Sequence, residues 1–325
     1  MKRVLILPGE ASAAPLPAEW RQRLEAWRTF LTQCGSKPSR KSVHALRALT
    51  LRLRVELEHS LPEQAENSAA AHAFQRWSKE AKKLRKALEP VRNADVYLAR
   101  LESLRVPPAG VPEGGTPLSA RCTREIEKLE ERLRRKRLAG IEKLVAVLGE
   151  HGKRLNRLSN EIEAAFAPYI SSKDPSTAQA ALEIVAELAN ELPSLDATNL
   201  HEYRKRLKPA LYLTEISAAA DPLTGRLATA FRKIHDAIGE WHDWQSLTQE
   251  ADRVLHSPGK PDGLVSLLEE RTAKALHRAL GQCRRSAARS VKNVGKILPS
   301  QQKRPVVAER GLPFEEEDLE AEICR

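Results

Sequence analysis

The sequence predicts an all-α protein built from two successive helical bundles. Aromatic residues make up only 4% of its 325 residues, and Leu, Ala, Arg, Lys and Glu dominate, which favours helices over strands. Apolar residues recur three and four positions apart, and no strand-like alternation interrupts them. The hydrophobic share of 41% is large enough to build a core. The two halves of the chain also resemble each other, which predicts an internal repeat.

The first half is predicted to hold helices joined by short connections. Pro90 is interpreted as the start of its own segment, because proline favours the first turn of a helix. Residues 105–117 are rich in Pro and Gly and predict a linker. A long helix follows, with an apolar stripe that is broken only around Arg137. The predicted segments are 17–34, 41–61, 64–88, 90–104 and a long helix that carries residues 122–148.

The second half is predicted to repeat this pattern, with a candidate break near Glu240. Its predicted helices are 176–192, 197–219, 223–256 and 263–297. The predicted organisation is therefore two pseudo-symmetric antiparallel four-helix bundles with a basic central groove, followed by a disordered acidic tail. The corresponding ranges are 17–172 for the first bundle, 173–297 for the second and 298–325 for the tail.

The charge of the chain indicates a polyanionic partner. Lys and Arg total 54 and Asp and Glu total 43, which gives a formal charge of +11 at pH 7. The last fifteen residues hold six acids and one base, so the preceding chain is more basic still. Nucleic acid, a phosphate polymer and an anionic membrane face all fit this balance, as does a well-solvated protein with no special partner. The acidic tail could serve solubility or mimic a polyanion.

The sequence also favours a cytoplasmic protein without a membrane span. No apolar run reaches the length of roughly 18 to 20 residues that a spanning helix needs. The four cysteines, at positions 34, 122, 283 and 324, form no CxxC pair, which fits a reducing compartment. The apolar run before Pro8 is too short for a signal peptide. The sequence gives no prediction of the oligomeric state.

The strongest signal is a repeat of basic residues at one helical phase. In the first half Val43 and Leu46 lie on a core stripe, and His44 follows one step round the helix. In the second half Leu200 lies on the core stripe and His201 follows in the same way. Four helices place such residues beside their core stripes: His44, Arg47, Arg54, Lys82, Arg85, Arg92, His201, Arg204, Lys208, Arg232, His235 and His242.

These twelve residues are called the cationic shoulder. Their stems can pack on the core while their charged heads converge, whereas random basic decoration would scatter the charges over the polar face. Arg52 and Lys205 are predicted as rim cations beside the shoulder. Any single member could still be an ordinary solvated helix charge. We therefore predict that the set binds an anion, with the two histidines His44 and His201 either charged against a phosphate oxygen or neutral hydrogen-bond donors.

Four blocks of the sequence together resemble the CHAD (conserved histidine α-helical domain) family. They are Val-His-x-x-Arg-x-x-x-x-Arg-x-Arg from Val43, Pro-Val-Arg-Asn-Ala-Asp-Val from Pro90, Leu-His-x-x-Arg-Lys-x-Leu-Lys from Leu200 and Ile-Gly-Glu-Trp-His-Asp from Ile238. The resemblance covers roughly residues 17–297. It implies two pseudo-symmetric helical bundles around a basic cavity, binding of inorganic polyphosphate and, for some members, association with polyphosphate granules. The residues that it implicates are His44, Arg47, Arg54, Arg92, His201, Arg204, Lys205, Lys208 and His242.

The sequence departs from the family pattern at three positions. Leu51 and Pro209 stand where the family often has basic residues, and Glu89 stands at a usual glycine position. A proline inside a helix costs roughly 3 kcal/mol and kinks the axis, so Pro209 is expected to alter the geometry after Lys208. No adjoining triphosphate-tunnel domain is apparent, which implies a stand-alone binding module.

Binding without catalysis is the function that the residues favour. Polyphosphate needs closely spaced cations and the forked donors of Arg, but no stacking aromatics. We find no P-loop, GxSxG or HExxH motif, few carboxylates on the cationic shoulder, and a His235–His242 spacing too long to chelate one metal ion. We therefore predict no enzyme activity, no metal and no cofactor. The alternatives are a nucleic-acid-associated protein, since phosphate contacts dominate nonspecific DNA binding, and a metal-dependent phosphatase.

Overall fold

The part of the protein that the structure describes forms eight α-helices. The computed structural model describes residues 17–61, 65, 67–105, 118–170, 175–218, 222–255 and 263–294, and these residues contain no strand. The helices are α1 Ala18–Ser36, α2 Arg40–Ser60, α3 Ala69–Arg105, α4 Ala120–Phe166, α5 Pro175–Glu191, α6 Leu200–Ser217, α7 Pro222–Leu255 and α8 Leu264–Val294. The all-α prediction is confirmed. The predicted tail, 298–325, and nearly all of the predicted linker lie outside the described residues.

Serine side chains cap several of the helices. Ser39 and Ser42 form a reciprocal capping box at the start of α2, which satisfies two backbone donors that have no partner inside the helix. The hydroxyl of Ser68 accepts from the backbone N–H of Ala71 at the start of α3. That of Ser119 accepts from Cys122 at the start of α4. These local hydrogen bonds fix where the buried stripe of each helix begins.

The predicted break at Pro90 is wrong, because α3 runs without interruption from Ala69 to Arg105 with Pro90 inside it. Pro90 is solvent-exposed, so its missing N–H is not a buried defect. Gly140 of α4 packs on this point: a Cβ at Gly140 would lie 3.1 Å from Cγ2 of Val91. The proline therefore marks a close crossing of two long helices. Similarly, α7 continues through the candidate break at Glu240.

Two large apolar clusters form the core, and α3 and α4 contribute to both. The first cluster combines α1 and α2 with residues 70–91 of α3 and 144–166 of α4. The second combines residues of α5–α8 with Leu101 and Leu104 of α3 and the start of α4, from Cys122 to Leu133. The two halves are thus joined by continuous helices, and the boundary near residue 172 stays a prediction. None of the described helices is both long and apolar enough to cross a bilayer.

The break in the α4 stripe at Arg137 has a structural reason. Nε of Arg137 donates to Oδ1 of the buried Asp95 of α3 at 2.6 Å. A charged pair therefore occupies the position between the two apolar clusters where the stripe predicted an apolar residue. A buried carboxylate without a partner lowers the stability of the fold, so Arg137 stabilises the buried Asp95 by pairing with it.

A small third cluster joins the two halves directly. Leu51 and Val55 of α2 pack with Ala181 of α5 and Leu213 of α6. Helices α2 and α6, which carry the matching repeats, are in contact, and so are α3 and α7. Leu51, one of the departures from the family pattern, is only 7% exposed, so it serves this apolar contact. The repeat thus brings its own equivalent helices together at the centre of the protein.

Replacing Thr50 by Val tests the α1–α2 contact. The hydroxyl of Thr50 accepts from Nε1 of the buried Trp27 at 2.9 Å and donates to the carbonyl of Leu46. Valine keeps the shape but leaves the indole N–H unpaired, so the free energy of unfolding should fall by about 1–3 kcal/mol in urea denaturation. Thr214→Val is the matched control, because the buried Thr214 hydroxyl donates to the helix carbonyl of Leu211 and has no side-chain partner among the described residues. Equal losses in the two variants would contradict this account.

Candidate anion-binding site

The matching helices α2, α3, α6 and α7 bring most of the cationic shoulder together. We call nine of its members the central cluster, and electrostatic interactions link each of them to at least one other: His44, Arg47, Arg85, Arg92, His201, Arg204, Lys208, His235 and His242. Each of the four helices contributes at least two of these residues. Basic residues at the same helical phase of the two repeats therefore lie together in one cluster.

Arg47 and Arg204 hold equivalent places in the two repeats. Burial is the main reason that the pKa of each guanidinium lies below its ordinary value, and the positive charge of Arg92 lowers both further. The Nε atom of each is buried with no hydrogen-bond partner among the described residues. An unpaired buried donor costs free energy unless an acceptor reaches it. In both arginines the Nε–H group is therefore a candidate donor to a bound anion.

The surroundings of these two arginines differ at one position of the repeat. Arg204 lies against Gly239 of α7, where a Cβ would be 3.8 Å from its Nη2 atom. The equivalent residue of α3 is Glu89, whose Oε1 lies 4.0 Å from Nη2 of Arg47. In the second repeat Arg204 thus faces a glycine with no side chain. In the first repeat Arg47 faces the carboxylate of Glu89 at a longer distance than a hydrogen bond.

Lys208 lies among the arginines of the central cluster. Its pKa falls well below the ordinary lysine value, because it is buried and because Arg47, Arg204, Arg92 and Arg85 surround it. Within the described part of the chain no carboxylate forms an ion pair with it. Burial similarly lowers the pKa of Arg85 to about 10, with further contributions from Arg47 and Arg54. An ammonium group among four guanidinium groups is favourable only when an anion joins them.

The histidines of the central cluster are held towards the neutral form. His201 and His242 face each other with ring centroids 4.9 Å apart. Burial, then Arg204 and His201, lower the pKa of His242 to about 3. Burial also lowers the pKa of His44, His201 and His235. Of the two predicted states of the histidines, these lowered pKa values favour the neutral one, and a bound anion would favour the charged one.

Several of these ring nitrogens are buried without a partner. Nε2 of His44, Nε2 of His235 and Nδ1 of His242 make no hydrogen bond among the described residues. The other ring nitrogen of His235, Nδ1, lies 3.2 Å from Oδ1 of Asp236. Because polar atoms buried in a native protein nearly always have a partner, the unpaired nitrogens indicate a place for a ligand or water.

Three carboxylates border the central cluster, which sequence reasoning missed when it found few on the shoulder. Besides Glu89, they are Asp243, which pairs with Arg92 at 3.2 Å and Arg100 at 3.6 Å, and Glu215, which pairs with Arg52 and Arg232. A signal was present for Glu215, since it lies seven residues, or two turns, after Lys208. Each carboxylate is engaged by arginine rather than left open.

Tyr212 is a second residue of the site that the sequence reading missed. It lies one turn after Lys208, and Cζ of Arg52 lies 5.1 Å from the centroid of its ring. Burial raises the pKa of its hydroxyl, while Arg47 and Arg232 act in the opposite direction. A tyrosine among cations can donate its O–H to an anion and can stack under a guanidinium.

The remaining predicted site residues lie at the edge of the central cluster. Arg54 is 3.9 Å from Glu58, and Lys205 pairs with Glu202 at 2.8 Å on the exposed side of α6. Arg232 is 56% exposed and Lys82 is solvent-exposed. They could reach a long ligand that leaves the cluster, but they do not form its centre. No group of three or more His, Cys, Asp and Glu side chains is arranged to hold a metal in the described ranges.

The low pKa of His242 predicts that acid destabilises the protein. Between about pH 6.5 and pH 3 this histidine is protonated in the unfolded chain but neutral in the native state. The free energy of unfolding therefore falls as the pH falls. We expect His242→Gln to lose less stability than the unchanged protein between pH 7 and pH 5 in urea denaturation. His72→Gln, on the exposed face of α3, is the control. An unchanged pH dependence in His242→Gln would contradict the prediction.

The fold and the site together define an all-helical protein whose two repeats direct cations and histidines to one cluster. The model of the CHAD domain family matches residues 18–252, and the chain belongs to this family. The crystal structure of the CHAD domain from the plant Ricinus communis is similar over 92% of this chain and 99% of that one, with a TM-score of 0.54 and 17% identity. At that identity the likeness shows the fold alone. No curated protein matches the chain.

Proposed function

We propose that this protein binds inorganic polyphosphate, without catalysis, through the central cluster. The observation that carries the proposal is the cluster itself: cations from both repeats surround Lys208, and buried donors on Arg47 and Arg204 have no partner among the described residues. Such a site is incomplete without an anion. A phosphate polymer supplies one negative charge or more at each repeating unit, together with oxygens that accept bidentate hydrogen bonds from arginine.

The shape of the site favours a linear anion over a single small one. The central cluster draws residues from four helices, and further cations continue it on either side, with Arg54 beside Arg85 and Lys205 beside His201. A compact anion could engage only part of this set. A chain of phosphates could contact the centre and the edges together, so that its affinity adds over several cations.

A nucleic-acid ligand is less well supported. Proteins that bind single strands stack bases on aromatic side chains, which contributes about 1–3 kcal/mol per base. All five tryptophans of this chain are 5% exposed or less. Trp20, Trp27 and Trp77 belong to the first core and Trp241 and Trp244 to the second, so none of them can stack on a base. The cations remain suited to phosphates, and the tryptophans add no surface on which the bases between them could stack.

Hydrolysis of the polymer is also less well supported. Phosphatases hold Mg²⁺ with carboxylates beside the phosphate, whereas Glu215 and Asp243 are each engaged by two arginines here. A binding module of this kind would act by holding polyphosphate. We therefore also propose a cytoplasmic location, with recruitment to polyphosphate granules as its biological consequence.

A titration with long-chain polyphosphate across a salt series, with duplex DNA as competitor, tests the function. The account expects tight binding that weakens linearly in the logarithm of the salt concentration, because each ion contact releases a counterion. DNA should compete poorly at equal phosphate concentration. Ready displacement by DNA would support the nucleic-acid alternative and contradict polyphosphate as the ligand. Release of phosphate that depends on added Mg²⁺ would contradict the non-catalytic role.

A further inference from the structure

The end of the central cluster near Tyr212 carries an unusual arrangement of charge. Glu215 of α6 lies between two arginines of other helices, Arg52 of α2 and Arg232 of α7, and forms an ion pair with each. Its side chain is only 13% exposed, whereas that of Arg232 is 56% exposed. The carboxylate therefore lies between the two guanidinium groups and is largely shielded from solvent. Its negative charge stays at the edge of the cluster.

Both partners of Glu215 are predicted anion-binding residues: Arg232 belongs to the cationic shoulder that the repeat predicted, and Arg52 is a predicted rim cation beside it. In contrast, Lys208, two turns earlier on α6, has no ion pair with a carboxylate in the described part of the chain, and the strongest charges acting on it are cationic. The same face of one helix thus carries a lysine with no ion pair among the described residues and then a carboxylate that pairs with two arginines. The row of available positive charge ends at Glu215.

The internal repeat shows that this arrangement is particular to the second half. The residue equivalent to Glu215 in α2 is Glu58, which lies 3.9 Å from Arg54 of its own helix. Among the residues that the structure describes, Glu58 therefore pairs with no other helix, and its contact with Arg54 is long. The two ends of the cluster differ: Glu215 withholds Arg52 and Arg232, whereas Arg54 acts on the charge of Arg85 inside the cluster.

We propose that Glu215 is a specificity-determining residue that withholds Arg52 and Arg232 from the ligand and so limits how many phosphates the site engages. This inference rests on the proposed function. A carboxylate competes with phosphate for the same guanidinium donors, and its own charge repels a polyanion that approaches them. A chain of phosphates therefore binds across the central cluster and leaves the site before it reaches Glu215.

Glu215→Gln tests the proposal, because glutamine keeps the size of the side chain and removes its charge. We expect this variant to bind long-chain polyphosphate about ten-fold more tightly at low salt. The slope of log affinity against log salt should steepen by up to about two, one for each arginine released. Glu191→Gln is the matched control, since Glu191 pairs with Arg206 on an exposed side of α6 and its loss changes the net charge equally. The control should leave the slope unchanged.

A second variant separates release of the arginines from a general change in charge. Adding Arg232→Gln to Glu215→Gln removes both members of the more exposed ion pair, so about half of the gain in slope should disappear. The double variant also restores the local charge balance, which keeps the test available where the single variant folds poorly. Retention of the full gain by the double variant would overturn the proposal.

The remaining outcomes separate this inference from the proposed function. Binding by the unchanged protein, with a folded Glu215→Gln variant of equal or weaker affinity and unchanged slope, would overturn the role of Glu215 and leave polyphosphate binding intact. A gain of the same size in Glu191→Gln would also overturn it, since net charge alone would then explain the effect. Absence of any polyphosphate binding by the unchanged protein would overturn the proposed function and this inference with it.

Discussion

Replacing Arg47 and Arg204 together by alanine should abolish tight binding of polyphosphate. Hydrogen bonds to charged groups contribute about 1.5–3 kcal/mol each, so each substitution should weaken binding by about 10- to 100-fold. The two side chains come from equivalent positions of α2 and α6, and both have a buried Nε atom without a partner among the described residues. We expect the salt dependence of binding to become shallower by about two in the same titration.

Arg206→Ala is the matched control for this pair. Arg206 lies on α6 only two residues after Arg204, but it pairs with Glu191 of α5 and is 49% exposed. Its removal deletes the same charge from the same helix and should change the affinity for polyphosphate little. If Arg206→Ala weakened binding as much as Arg204→Ala, binding would depend on net charge, and the central cluster would not be the site.

Lys208→Met should both weaken binding and remove its coupling to protons. The pKa of Lys208 is low, because burial and the guanidinium groups around it disfavour the charged form. A bound polyanion reverses the sign of the surrounding potential and raises that pKa, so that binding takes up a proton at neutral to alkaline pH. Calorimetry in two buffers of different ionisation enthalpy measures this uptake. We expect the Lys208→Met variant to bind at least about ten-fold more weakly and to show a smaller uptake.

Lys233→Met provides the control for the lysine prediction. Lys233 is solvent-exposed on α7, so its substitution removes a lysine side chain from the protein without changing the central cluster. The proton uptake of this variant should match that of the unchanged protein. Proton uptake that persisted undiminished in Lys208→Met would contradict the role of this lysine and would assign the effect to the histidines around it.

Much of the fold could be predicted because helical periodicity is a local property of the sequence. The stripe of α2 fixed its bounds to within one or two residues of those observed, and the serine cap at Ser39 has the same local origin. The predicted helix start at Pro90 was wrong because a proline in the first turn and one inside a long helix cannot be told apart in the sequence. The difference lies in Gly140, which comes fifty residues later and packs against that point.

The site could be predicted in part because the repeat carries phase information. His44 and His201 occupy the same phase, and once equivalent helices meet, their neighbours must converge. What could not be predicted was which groups from other helices would join them. Glu215 meets Arg52 and Arg232 only through the packing of α2 and α7 on α6. Likewise, the sequence did not predict that Leu51, which stands where the family often has a basic residue, packs against Leu213.

A crystal structure of the protein with a defined-length polyphosphate would test the central claim most directly. The account predicts phosphates within hydrogen-bond distance of Arg47, Arg204 and Lys208, with electron density that ends before the ion pairs of Glu215. Phosphates bound on exposed basic surfaces of other helices, with the central cluster unchanged and its Nε donors still unpaired, would contradict it.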